Sequence, residues 1–175
     1  FPTTIGSASG GNFALINSDA AGATATQNAW IENTTNIALA DSLAANGSAA
    51  NAAIYLKFNE VYRHFQDKNF VQISNDGGAT WTTFAVNPVS EVPVNTNSSA
   101  PEIEVVNITS AIGAGNWTNQ VKVRFLYTGN YDWFWGVDDV QLVEAYANDV
   151  KFTGVFQATP IANTQGLDYY RVPPS

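Results

Sequence analysis

Two adjacent carboxylates, Asp138 and Asp139 in the stretch WFWGVDDVQL, stand where strand geometry has no easy place for both. Successive side chains on a strand point to opposite faces, so Asp138 goes with Phe134, Val140 and Leu142, and Asp139 with Trp135 and Val137. One of the pair must then point inward or toward a strand end. A carboxylate buried alone is costly, so it calls for an arginine, backbone donors or a cation. Near the amino end, INSDAAG gathers Asn17, Ser18 and Asp19 in a turn-like loop. Hard oxygens of this kind suit Ca²⁺, which takes roughly six to eight of them. An Asx-turn at Asp19 and a salt bridge from Asp138 to Arg124 or Arg63 are the alternatives. Glu60 raises the same question, because it follows Ile54, Leu56 and Phe58 on the apolar side of its strand or sits at the rim of that side.

Catalytic constellations are hard to assemble. His64 is the sole histidine, in VYRHF, and no Gly-x-Ser-x-Gly elbow accompanies it, so it reads as structural or surface. One histidine and no cysteine argue against a catalytic zinc site. The stretch SNDGGATW, Ser74–Trp81, fits the Asp-box pattern familiar from sialidases. Asp76, Gly77 and Gly78 supply what a hairpin turn needs, and Trp81 is expected to pack beneath it. A sialidase would also need several arginines to clamp a carboxylate, whereas the chain has Arg63, Arg124 and Arg171 only. The motif is therefore read as a structural turn.

YTGNYDWFWG places Tyr131, Trp133 and Trp135 close together, a set that could stack on sugar rings if exposed. Alternation buries at least every second ring, so most of these aromatics are expected in the core.

The elements that would position these groups are strands. Val121, Val123, Phe125 and Tyr127 alternate cleanly with Lys122, Arg124 and Thr128, and Ile54 to Tyr62 alternates similarly. Residues 70–74 and 80–86 flank the Asp-Gly-Gly turn as a hairpin, and residues 102–109 and 133–143 read as further strands. Residues 87–101 hold three prolines and read as a long loop. Phe13–Ile16 and Ala29–Ile31 are short strand patches, and the alanine-rich run after residue 39 predicts at most one helical turn before Asn46-Gly47. Many short strands with frequent turns predict an all-β, antiparallel β-sandwich. Residues 1–145 form the expected domain. Residues 146–175 read as a linker and the start of a following module, or as an added edge strand.

Composition narrows the function classes. Only 13% of the 175 residues are charged, against about 25% in ordinary domains, so Asn, Thr, Ser, Ala and Gly make most of the surface. A net charge of −8 argues against nucleic acid and anionic membranes as partners but is compatible with a cation. No apolar run is long enough for a membrane-spanning helix. The absence of Cys and Met suits a secreted, extracellular bacterial protein. A start at Phe1-Pro2 reads as a processed or excised chain. Sequons at Asn33, Asn46, Asn97, Asn107 and Asn116 follow from composition in a bacterial host, and Asp41-Ser42-Leu43 matches a bacterial O-glycosylation acceptor.

The order AIYLKFNEVYRHF, NFVQISNDGGATWTTF and NQVKVRFLYTGNYDWFWGVDDVQL resembles the MAM-like, choice-of-anchor or cleaved-adhesin modules of large secreted bacterial proteins, the gingipain adhesin type. It covers roughly residues 13–144. The resemblance implies a non-catalytic jelly roll holding structural calcium, with ligands at Asp19 and Asn17 and at Asp138 or Asp139. It also implies neighbouring domains on the same polypeptide. The expected function is a binding or adhesion module of a secreted, cell-surface protein, with a glycan or protein ligand. The alternatives are a carbohydrate-binding accessory domain of a secreted hydrolase and a folding accessory of a secreted peptidase.

Overall fold

A computed structural model describes residues 2–22 and 26–145. The expectation for residues 146–175 lies outside the described residues. Eight strands follow one another: β1 (Ala14–Asn17), β2 (Thr26–Glu32), β3 (Ile54–Arg63), β4 (Lys68–Ser74), β5 (Thr82–Val86), β6 (Glu102–Asn107), β7 (Lys122–Asn130) and β8 (Phe134–Glu144). A helix α1 (Leu39–Ala45) joins β2 to β3, and a single turn α2 (Thr109–Ile112) follows β6. The alanine-rich run thus makes two helical turns where one was expected. Leu39 and Leu43, four residues apart on one face, are both buried, and that burial carries the longer helix.

The strands form two antiparallel four-stranded sheets, ordered β1-β8-β3-β6 and β2-β7-β4-β5. First pairs with last, second with seventh, third with sixth and fourth with fifth. A long two-stranded strip has wrapped over itself, and the result is a jelly roll. Its innermost hairpin, β4–β5, carries the SNDGGATW turn.

The core is built from the inward halves of the alternating strands. Leu56 and Phe58 of β3 meet Val71 and Ile73 of β4, Phe125 and Tyr127 of β7, and Trp135 of β8. Phe125 makes edge-on contacts with Phe58 and Trp135, at 5.0 and 5.7 Å between ring centres.

One irregularity matters for the acidic pair. Lys57 pairs with Gln141 and Asn59 with Asp138, so β8 spends one residue more than β3 across this step. Asp139 and Val140 together oppose Phe58, and Asp139 takes a left-handed conformation, φ 50°. The bulge lets both Asp138 and Asp139 leave the core face and stand half-buried outside it. The expectation that one of them points inward or toward a strand end fails because strict alternation breaks at this bulge within β8.

Candidate binding site

β6 pairs with β3 only as far as Glu60, so the last residues of β3 need another neighbour. The loop before β6 provides it. Ser98 donates its N–H to the Tyr62 carbonyl at 2.8 Å, its Oγ accepts the Tyr62 N–H at 2.9 Å, and Arg63 bridges Asn97. On the other flank Arg63 pairs with Phe134 of β8, the residue after Trp133. Val61, Arg63, Asn97, Ser98 and Trp133, with Pro2, line a cavity of about 360 Å³.

Trp133 is held from behind. Tyr131 takes a left-handed turn, φ 53°, and Asp132 folds into the interior. The Asp132 carboxylate accepts N–H groups from Asn130 at 2.7 Å and Gln66 at 2.9 Å, while its own N–H goes to Ser18 Oγ at 2.9 Å. Ser18 N–H then binds the Trp133 carbonyl at 3.0 Å. A side chain at Gly129 could not coexist with this arrangement, because its Cβ would fall 2.2 Å from Asp132 Oδ2. Nearby, burial pushes the Asp67 carboxyl above its ordinary value.

So fixed, Trp133 leaves 37% of its surface open and lies against the Arg63 guanidinium, whose carbon is 4.2 Å from the ring centre. Arg63 Nη1 donates to Asn97 Oδ1 at 3.3 Å. Among the described residues the ion pairs are those of Lys122 and Arg124 with Glu32, and Arg63 has none. Tyr131 is 51% exposed but does not line the cavity.

The third expected aromatic is elsewhere. Trp135 is fully buried and donates its indole N–H to Glu60 Oε2 at 2.6 Å, so it presents no ring to a ligand. Glu60 also accepts from Asn87 at 3.1 Å, and burial still pushes its carboxyl up to about 8. His64 is likewise enclosed, with Nδ1 2.6 Å from the Val92 carbonyl and its ring stacked on Tyr62.

The expected calcium ligands do not converge. Asn17 pairs with Phe134, and Asp138 lies four residues further along β8, about 13 Å away at strand spacing. Asn17 Oδ1 instead accepts the Ala20 N–H at 3.1 Å, closing an Asx-type turn around Asp19. Asp138 and Asp139 meet the amino-terminal segment. Ser7 Oγ and Ser9 Oγ donate to Asp138 Oδ2, and Asp139 Oδ2 accepts Ala8 N–H at 3.0 Å and Asn59 Nδ2 at 2.8 Å. The hydroxyl of Ser9, its N–H and that of Ala8, and the Asn59 amide hold the Asp139 carboxyl below the ordinary range. The arginines considered as partners are engaged elsewhere, Arg124 on Glu32 and Arg63 on Trp133.

In the Asp-box the polar side-chain atoms of Ser74, Asp76, Thr80 and Trp81 are spent on the turn, while Asn75 reaches out to the Ile112 carbonyl and Thr118. Asp76 accepts the Thr80 N–H at 2.9 Å and the Thr80 hydroxyl at 2.6 Å, Gly78 N–H donates to Ser74 Oγ at 2.8 Å, and Trp81 Nε1 donates to the Gly78 carbonyl at 3.0 Å. Gly77 and Gly78 have φ of 74° and 100°. Trp81 also stacks on Arg124 at 3.9 Å, and the far side of Arg124 faces Trp30 at 5.1 Å. Trp30, which the sequence presents only within the strand patch Ala29–Ile31, is 53% exposed. Asp41-Ser42-Leu43 lies in α1 with Leu43 buried.

No family model matches this chain, and no curated protein matches it. Among solved structures, TmCBM61 in complex with β-1,4-galactotriose is similar at a TM-score of 0.39, with 10% identical residues over 76% of this chain and 82% of that one. A superposition so loose bears on neither the ligand nor the residues that would hold it.

Proposed function

We propose that this chain is a non-catalytic binding module and that its ligand is a saccharide held in the Arg63–Trp133 cavity. The observation that carries the reading is an exposed indole, rigidly mounted by Asp132, forming one wall of a cavity with hydrogen-bonding groups of Arg63 and Asn97. An apolar ring face beside a few fixed polar donors is what a pyranose needs, with C–H groups on one side and hydroxyls around its rim. Glu60 and His64, on which turnover would depend, are enclosed and tied to Trp135, Asn87 and Val92. The low charge and the absence of Cys and Met support placing the module in a secreted or cell-surface protein, where adhesion through a glycan is its work. Screening the chain and Trp133→Ala on a glycan array tests this. Binding that disappears with an unchanged melting temperature supports it, and binding unaffected by the substitution contradicts it.

The same proposal gives structural calcium to the clasp between the amino-terminal segment and the β8 bulge. Oxygens of Asp138, Asp139, Ser7 and Ser9 meet there, hard donors of the type Ca²⁺ takes, whereas Asn17 and Asp19 lie at the far end of the β1–β8 pairing. A bound ion would pin residues 7–9 to the sheet.

A further inference from the structure

We infer that the Arg63–Trp133 cavity selects saccharides bearing a carboxylate, uronic acids spaced along an otherwise weakly charged chain. The inference rests on the saccharide-binding reading of the same cavity. The chain carries 15 acidic residues against seven basic ones, so an arginine with no acid beside it is unexpected. Lys122 and Arg124 both find Glu32, while Arg63 has no carboxylate within ion-pair distance among the described residues. Its neighbours are neutral: the Trp133 ring on one face and the Asn97 side-chain oxygen at Nη1. Its Nε–H is enclosed and lacks an acceptor.

A guanidinium carries five N–H donors in a planar fork, and that fork matches the two oxygens of a carboxylate. Stacking on Trp133 fixes the plane of the fork before a ligand arrives, so little rotamer freedom is lost on binding. Desolvation also matters. A cation half-enclosed by Val61, Pro2 and an indole is poorly served by water, and an incoming anion restores what the cavity withholds. The net charge of −8 sets the opposite limit, since a densely charged polymer would be repelled by the protein as a whole. Isolated carboxylates among neutral sugars satisfy both conditions. Were Arg63 only a prop for Trp133, the cavity would not distinguish an acid from its alcohol.

The test titrates the 175-residue chain by calorimetry with glucuronic- and galacturonic-acid-terminated oligosaccharides, each beside its carboxyl-reduced neutral form. The acid form should bind about tenfold more tightly, the worth of one charge-assisted hydrogen bond. That preference should vanish in Arg63→Gln, survive in part in Arg63→Lys, and weaken in about 0.5 M salt. Equal affinity for acid and alcohol overturns the inference and leaves saccharide binding standing, as does a preference that persists in Arg63→Gln. Absence of binding to either form overturns both. Should Arg63→Gln fail to fold, the acid-to-alcohol ratio of the unaltered chain decides alone.

Discussion

Trp135 donates its indole N–H to Glu60 Oε2 at 2.6 Å, within a core where neither side chain meets solvent. The two donors, Trp135 and Asn87, do not offset the loss of water, and the Glu60 carboxyl titrates near 8 in the fold against 4.5 for an ordinary glutamate. The folded chain therefore holds a proton that the unfolded chain has released. Stability from this group is complete below the lower value and declines as pH rises toward the higher one, by up to ~1.4 kcal/mol per pH unit. Glu60→Gln should match the parent near pH ~5 and exceed it in melting temperature near pH ~8.5. A difference that does not change between those values would show that Glu60 does not titrate as described.

Gly129→Ala should damage the site from behind. The added Cβ would overlap Asp132 Oδ2 and press on Asp67 Cβ at 3.0 Å, so the loop bearing Tyr131 and Trp133 must shift. We expect a loss of about 1–3 kcal/mol in urea unfolding, with ligand affinity falling further than stability explains. Unchanged stability would mean that the Asp132 hydrogen bonds do not set the loop.

Asp76 tests whether SNDGGATW is a turn and nothing more. The hydroxyl and N–H of Thr80 and the hydroxyl of Ser74 hold its carboxylate well below the usual range. Stability from this group is present above the unfolded value and fades as pH falls below it. Asp76→Ala should lower the melting temperature by a few degrees at neutral pH and by less below pH ~4, with ligand binding intact. Loss of binding without loss of stability would return the motif to functional candidacy.

The β8 clasp makes a separate claim. Calcium should raise the melting temperature relative to excess EDTA, and Asp138→Ala combined with Asp139→Ala should abolish that rise. Asp19→Ala should leave it untouched. Equal melting in calcium and EDTA would remove the cation from the account and leave the serine hydroxyls and backbone N–H groups to hold the pair.

The jelly roll was legible because β3 and β7 alternate so regularly that their inward residues, Leu56, Phe58, Val123 and Phe125, can be read directly. The same rule put Glu60 on the buried side or at its rim, and the side chain is fully buried. The rule failed at Asp139, where one inserted residue changes the facing of everything after it and only cross-strand register reveals the insertion. It could not separate Trp133 from Trp135, two residues apart, because β8 starts between them at Phe134. The sequence offers Arg63 only as a salt-bridge partner for Asp138, because its actual setting depends on Asn97 and Trp133, 34 and 70 positions away. Asp132 left a faint signal, a carboxylate three residues after the glycine that makes room for it.

The five tryptophans supply the most direct test of where the ligand sits. Each indole N–H gives its own cross-peak in a ¹H–¹⁵N spectrum, and Trp30, Trp81, Trp117, Trp133 and Trp135 occupy different parts of the fold. Adding a bound oligosaccharide should shift the Trp133 signal most, disturb those of Trp30 and Trp81 little, and leave buried Trp135 nearly still. Shifts centred on Trp30 and Trp81, with Trp133 unmoved, would transfer the site to the outer face of the β2-β7-β4-β5 sheet and contradict the account.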